Sequence, residues 1–62
     1  MLPGDPVMLM SVINTKLRDF YSSAEAFFDD VDWAEEKMSR ADVEKKLLDA
    51  GFKYDPEKNQ FN

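Results

Sequence analysis

The chain has 62 residues, carries a net charge of −5 and contains neither cysteine nor histidine. A chain this short builds one small core, which rarely supplies more than about 3–5 kcal/mol of stability. The two missing residue types exclude disulfides, thiol nucleophiles, imidazole bases and Cys/His zinc cages. Because so few residues scarcely form both a core and a catalytic cleft, we expect a single domain over residues 1–62 that is not an enzyme and takes no cofactor, metal or small-molecule substrate.

The net charge and the N-terminal segment indicate where in the cell the protein is found. An acidic chain repels nucleic acid and acidic membrane surfaces. The segment MLPGDPVMLM lacks a basic region and has Pro and Gly within its apolar run, unlike a signal peptide. No apolar stretch reaches the length of a membrane span. We therefore expect a cytoplasmic protein without membrane contact.

The first helix is predicted over about residues 5–21. Asp5 is a good N-cap, and Pro6 suits the first helical position, where a missing N–H costs nothing. The apolar residues that follow recur at helical spacing and form one predicted core stripe: Leu9, Ile13, Leu17 and Phe20, flanked by Tyr21.

The second helix is predicted over about residues 23–37. Either Ser22 or Ser23 can cap its start, and with Ser22 as the cap Glu25 completes a capping box. A break near residues 31–33 remains an alternative, because Asp32 can cap a new turn that begins at Trp33.

The third helix is predicted over about residues 39–50, followed by a hairpin over about 52–61. Ser39 and Asp42 form a capping box, and Gly51 ends the helix as the residue free to adopt a left-handed conformation. In the tail, a turn that begins DPEK pairs Tyr54 with Phe61. Asn59 can take the left-handed position that closes the hairpin loop.

These elements predict a mainly α (α+β) domain with three helices and a C-terminal β-hairpin. That order is typical of a minimal winged helix, in which the second and third helices form a helix-turn-helix. An isolated hairpin is marginally stable, so its aromatic face is expected to pack on the helices.

Three segments resemble a known family: LPGDPVMLMSVINTKLRDFY, SSAEAFFDDVD and GFKYDPEKNQF. They are similar to a family of small bacterial proteins labelled domain of unknown function 4250, and the resemblance covers nearly the whole chain. It implies a short single domain and no particular activity. The chain departs from the family at Phe28, where cysteine is frequent, and in the longer stretch WAEEKMSRAD, which bears on the geometry between the second and third helices.

The polar stripe of the first helix is the main candidate surface, and it comprises Ser11, Asn14, Thr15 and Arg18. Asn14 and Arg18 lie one turn apart, so together they can hold a carboxylate, a phosphate or a base edge. The alternative is structural: Arg18 pairs with an acid of residues 29–36, and Asn14 satisfies the open end of a neighbouring helix. The structural alternative is favoured, because a polar stripe is the expected outer side of an amphipathic helix.

Two apolar residues extend this candidate surface. A core this small does not bury every apolar side chain, and apolar residues left at the surface commonly mark an interface. Met8 suits adaptable contacts, and Trp33 is expected to remain partly exposed on the acidic segment.

The charged residues favour no site of their own. The acidic run DDVDWAEE does not have the spacing of a calcium loop and lacks its glycine. The basic residues of the third helix and the hairpin alternate with an equal number of acids, so a net positive stripe for DNA is missing. We therefore expect a protein–protein interaction or accessory domain, with self-association through the first helix as one form of it. A minimal DNA-binding regulator is the alternative, and only the order of elements supports it.

Overall fold

The computed structural model describes all 62 residues. The elements in chain order are α1 (Pro6–Asp19), α2 (Ala24–Asp30), α3 (Arg40–Asp49), β1 (Tyr54–Asp55) and β2 (Gln60–Phe61). The two strands pair in an antiparallel hairpin. The predicted fold class, a mainly α domain of three helices with a C-terminal hairpin, is confirmed. None of the three helices combines the length and the apolar character that crossing a bilayer would require.

The start of α1 follows the prediction and its end does not. The Asp5 carboxylate accepts a hydrogen bond of 3.0 Å from the backbone N–H of Met8, and Pro6 is the first helical residue. The helix ends at Asp19, and Phe20 leaves it with φ −132° and ψ −22°. Its side chain therefore turns away from the apolar stripe and is 72% exposed. The prediction that Phe20 belongs to the core is wrong.

The second helix is capped by Ser23 and is shorter than predicted. The Ser23 hydroxyl accepts a bond from the backbone N–H of Ala26, so the capping box built on Ser22 is not the one that forms. The helix ends at Asp30 instead of residue 37, which corrects the favoured prediction of one continuous helix. Its last turn carries aspartates and no basic residue, and negative charge at a helix C-terminus opposes the helix dipole.

The helical conformation is interrupted at residues 31–33, as the alternative prediction proposed. The Asp32 carboxylate accepts a bond from the N–H of Ala34, so Asp32 caps a short turn. Trp33 is half-buried and stacks on Phe28, with 6.2 Å between the ring centroids. Its indole N–H donates a bond of 3.1 Å to the carbonyl of Phe28, one of the last carbonyls of α2. This bond satisfies an acceptor that the end of the helix leaves free.

The predicted signals of α3 and of the hairpin are confirmed. Ser39 and Asp42 make both bonds of the capping box, and Gly51 has a φ of +86°. In the hairpin Tyr54 lies opposite Phe61, with the ring centroids 5.3 Å apart. Asn59 closes the loop with a φ of +52°, as predicted.

The core is one cluster of nine buried apolar residues around α1, which packs against α2, α3 and β2. Its members are Leu9, Ile13, Leu17, Ala24, Phe27, Phe28, Val43, Leu47 and Phe61. Since α1 carries three of them on one side, its opposite side stays free to face solvent.

Candidate functional site

The largest groove of the molecule, of about 620 Å³, runs between the polar stripe of α1 and the hairpin loop. We call it the α1–hairpin groove. Its lining residues are Met10, Ser11, Asn14, Thr15, Leu17, Arg18, Tyr21, Lys58, Asn59 and Gln60. Four of the six residues predicted from the sequence as an interaction surface therefore lie together on the α1 side, or bank, of this groove. The opposite bank, formed by Lys58, Asn59 and Gln60 of the hairpin, was not predicted.

Asn14 joins the two banks at the floor of the groove. Its side-chain N–H donates a bond of 3.0 Å to the carbonyl of Phe61, and its side-chain oxygen accepts one of 2.7 Å from the N–H of Phe61. Asn14 is therefore a structural tie, as the favoured alternative predicted. Its partner is the backbone of a strand, so the predicted bond to the open end of a helix is wrong.

Asn59 forms the corresponding tie from the hairpin to α1. Its side-chain N–H groups donate bonds of 3.2 Å to the carbonyl of Leu17 and 2.9 Å to that of Tyr21, at the end of α1. Its side-chain oxygen accepts a bond of 2.6 Å from the Tyr54 hydroxyl, which in turn accepts one from the N–H of Ala24. Asn59 thus satisfies carbonyls that a helix end leaves without partners.

This side-chain role of Asn59 is not among the features predicted from the sequence. The available signal was indirect: α1 has no glycine just after its last residues, so its terminal carbonyls need partners from elsewhere. Nothing in the sequence identifies Asn59 as the partner, because the two ends of each bond lie about forty residues apart, with separations of 42 and 38.

Arg18 extends from the exposed side of α1. Its guanidinium bonds to the adjacent Asp19 carboxylate at 3.0 Å. That hydrogen bond raises the pKa of Arg18 and lowers the pKa of Asp19. The predicted ion pair between Arg18 and an acid of residues 29–36 is wrong. Within that acidic segment, Asp29 is contacted by Arg40 instead.

The charge of the α1–hairpin groove differs from that of the chain. Arg18 lies on one bank and Lys58 on the other, and no Asp or Glu is among the lining residues. Lys58 makes no ion pair within the chain. At the rim, the Tyr21 hydroxyl bonds to the Asp30 carboxylate at 2.5 Å, which raises the pKa of Tyr21. The groove is therefore a polar, cation-bearing sector of a protein whose net charge is −5.

The other two predicted surface residues lie outside this groove. Met8 is 60% exposed on α1, one helical turn before Ser11, and the neighbouring Val7 is 56% exposed. Together they continue the free side of α1 beyond the end of the groove. Trp33 is partly exposed, as predicted, but it packs on Phe28 and does not line the groove.

The basic residues of α3 are largely engaged by carboxylates. Arg40 contacts Glu25 at 2.6 Å, Glu44 at 3.0 Å and Asp29 at 3.6 Å, and the hydrogen bond to Glu25 is the largest cause of its raised pKa. Lys45 bonds to Asp49 at 2.9 Å along the same helix. No three acidic side chains are grouped so that they could hold a metal ion.

A second groove, of about 370 Å³, lies between β1, α3 and the start of α2. We call it the β1–α3 groove. It is mostly apolar, and its lining residues are Ala24, Glu25, Phe28, Arg40, Glu44, Leu47, Leu48, Phe52, Lys53, Tyr54 and Phe61. This groove is not predictable from local sequence patterns, since it forms from three segments that are distant along the chain.

Comparison with known proteins gives one finding. The model of a family described as "Domain of unknown function (DUF4250)" matches residues 3–61, which confirms the resemblance noted from the sequence. No curated protein and no solved structure gives a significant match. The matched range includes both banks of the α1–hairpin groove.

Proposed function

The chain belongs to the DUF4250 family, whose description assigns no activity, and from this premise we propose that the domain is a non-catalytic protein–protein interaction module. Its partner binds along the α1–hairpin groove and the free side of α1. Self-association is one form of this proposal, and the sedimentation experiment below identifies it.

One observation carries the proposal: three polar side chains that line the largest groove, those of Thr15, Arg18 and Lys58, make no bond to another element of the fold. The Thr15 hydroxyl bonds only to the carbonyl of Ser11, within its own helix, and Arg18 bonds only to its neighbour Asp19. Lys58 is exposed and makes no ion pair. These groups are available to a partner at little cost, because no interaction within the core has to be broken.

Exposed apolar side chains next to the groove add to this support. Val7 and Met8 each expose more than half of their surface, at 56% and 60%. Apolar side chains beside polar ones are the composition of an interface with a buried centre and a wet rim. A partner lying along α1 would remove both from water and gain their burial energy.

The DNA-binding alternative receives less support from the structure. In a winged helix the third helix and the hairpin meet the nucleic acid. Here Arg40, at the start of α3, is shared among three carboxylates, and Lys45 is paired with Asp49. Phosphate binding would have to compete with these ion pairs in a chain that is already acidic.

The test is affinity capture from the native cell with two variants of equal net charge. The first neutralises the groove with Arg18→Gln and Lys58→Gln. The matched control carries Lys37→Gln and Lys45→Gln, which lie outside the groove. We expect the first variant to lose the proteins that the wild type captures and the control to retain them, with both variants folded by circular dichroism.

Two further measurements separate the outcomes. Sedimentation at several concentrations identifies the partner as a second copy if the wild type and the control dimerise and the groove variant does not. A DNA-binding titration from low salt upward tests the alternative. Binding of DNA that is lost in the Lys37/Lys45 control and kept in the groove variant would favour a regulator, and identical capture by both variants would refute the groove as the binding site.

A further inference from the structure

The two outer edges of the hairpin differ in whether their backbone N–H and C=O groups have hydrogen-bond partners. Lys53 and Asn62 exchange both backbone hydrogen bonds, so the next pair, Tyr54 and Phe61, directs its N–H and C=O groups away from the hairpin. At Phe61 these groups are taken by Asn14. At Tyr54 neither the N–H nor the C=O has a partner within the chain. The outer edge of β1 is therefore open.

This open edge borders the β1–α3 groove. Tyr54 lines the groove on one side, and Leu47 and Leu48 of α3 line it on another. Leu48 is 65% exposed although it lies beside buried Leu47. A strand edge with an apolar groove beside it is the arrangement by which domains bind extended peptides, with backbone bonds to the edge and alternate side chains in the groove.

The charges at this edge indicate the chemistry of the occupant. Arg40, at one end of the groove, already contacts three carboxylates. Lys53, next to Tyr54, is exposed and has no carboxylate partner. Of the two bases that line the groove, Lys53 is therefore the one without a carboxylate partner, and an acidic side chain set beside it complements its charge.

The length of the occupant is limited by Pro56. Proline has no backbone N–H, so strand pairing along β1 cannot continue through that residue. At the other end, the N–H of Phe52 is already bonded to the carbonyl of Leu47. Only a short extended segment fits, which disfavours the open-ended pairing that makes long edges aggregate.

We propose that the outer edge of β1 and the β1–α3 groove form a second binding site, independent of the α1–hairpin groove, for a short extended segment of a partner protein. The segment pairs with the backbone of Tyr54, places alternate apolar side chains against Leu47, Leu48 and Phe52, and sets an acidic side chain against Lys53.

The test selects random heptapeptides displayed on phage against the immobilised domain and measures the binding of the enriched peptides. We expect the enriched sequences to combine alternating apolar residues with one acidic residue. Binding should shift the backbone amide resonance of Tyr54 and slow its hydrogen exchange. Leu48→Asp, at an exposed position, should weaken binding by about tenfold or more.

A charge-reversed variant makes the assignment specific. Selection on Lys53→Glu should enrich a basic residue in place of the acidic one, whereas selection on Lys58→Glu, in the other groove, should leave the acidic preference unchanged. Peptides that bind without perturbing Tyr54, no enrichment at all, or an unchanged acidic preference with Lys53→Glu would each overturn the proposal. So would a dimer of the free domain that perturbs Tyr54 and is lost in Leu48→Asp, since the occupant would then be a second copy.

Discussion

The side-chain amide of Asn14 pairs with both backbone groups of Phe61, donating to its carbonyl at 3.0 Å and accepting from its N–H at 2.7 Å. An asparagine side chain thereby takes the place of a neighbouring strand on the outer edge of β2. The pairing fixes the hairpin to α1 and closes one edge of the sheet. It also places the hairpin loop across from the polar stripe, which creates the α1–hairpin groove.

Asn14→Ala should destabilise the domain by about 2 kcal/mol, because it leaves a part-buried donor and acceptor of Phe61 without partners. In a domain of this size the loss corresponds to a fall in Tm of roughly 8–16 °C. Asn14→Asp should not restore stability, since a carboxylate accepts from the N–H but faces the carbonyl oxygen of Phe61 without a proton to donate. Thermal and urea denaturation followed by circular dichroism measure both effects.

The control is Ser11→Ala, an exposed residue on the same side of α1 whose hydroxyl makes no hydrogen bond. Its stability should stay within about 0.5 kcal/mol of the wild type. If Asn14→Ala behaves like this control, the paired bonds to Phe61 contribute nothing, and the hairpin is held by the packing of Phe61 alone.

The sequence predicted well those features that depend on a few neighbouring residues. Asp5 caps α1, Ser39 and Asp42 form the capping box, and Gly51 and Asn59 adopt positive φ. Each of these predictions depends on residues within about four positions of one another. Over so short a distance, the geometry of a helix end or a tight turn leaves the backbone little freedom. The hairpin register follows for the same reason.

The errors concern features decided by distant contacts. Phe20 has the spacing of a core residue, yet the helix ends one residue before it. The end of α2 depends in part on Trp33, whose indole reaches back to the carbonyl of Phe28. Four residues of the candidate site could be predicted because they share one side of α1, whereas Lys58 could not, since its position depends on how the hairpin docks.

Asn59→Gly and Asn59→Ala should separate the two roles of Asn59. Glycine keeps the φ of +52° without strain but removes the side-chain bonds to Leu17 and Tyr21. We expect a loss of about 2 kcal/mol for the glycine variant. Alanine should cost about 1 kcal/mol more, because an L side chain is strained in the left-handed region. Urea denaturation at constant m-value measures both.

Lys58→Ala is the control for this pair, being the adjacent exposed residue, and it should leave the urea midpoint nearly unchanged. A glycine variant as stable as the wild type would show that the carbonyls of α1 need no side-chain partner. Equal stability of the two variants would show that the loop relaxes to a negative φ.

Phe20→Ala and Phe27→Ala should differ sharply in their loss of stability, although both replace a phenylalanine with alanine. Phe20 is 72% exposed, with the Lys16 ammonium 5.5 Å from its ring centroid, so its loss should cost at most about 0.5 kcal/mol. Phe27 is 4% exposed within the core, and its loss should cost about 3–5 kcal/mol. That cost equals the whole stability expected for so small a core. Phe27→Ala should therefore show no cooperative thermal transition by circular dichroism, and a comparable loss with Phe20→Ala would contradict its exposed position.

The hydrogen bond between Tyr21 and Asp30 should make stability fall at high pH. It raises the pKa of Tyr21 in the folded state, so the folded chain holds this proton more tightly than the unfolded chain does. The contribution is fully present below about pH 10, the ordinary tyrosine value, and is lost as the pH rises through the folded pKa. The pKa of Lys45 is raised by the hydrogen bond to Asp49, so deprotonation of Lys45 also lowers the stability as the pH rises.

Tyr21→Phe isolates the tyrosine from the lysine, because the variant keeps the pair of Lys45 and Asp49. Above about pH 10 the free energy of unfolding of the wild type should fall more steeply than that of Tyr21→Phe. Urea denaturation at a series of pH values gives the two curves. The difference in tyrosinate absorbance between the two proteins should titrate above the ordinary tyrosine range. Parallel stability curves, together with an unshifted titration of Tyr21, would mean that its hydroxyl and Asp30 are not bonded in solution.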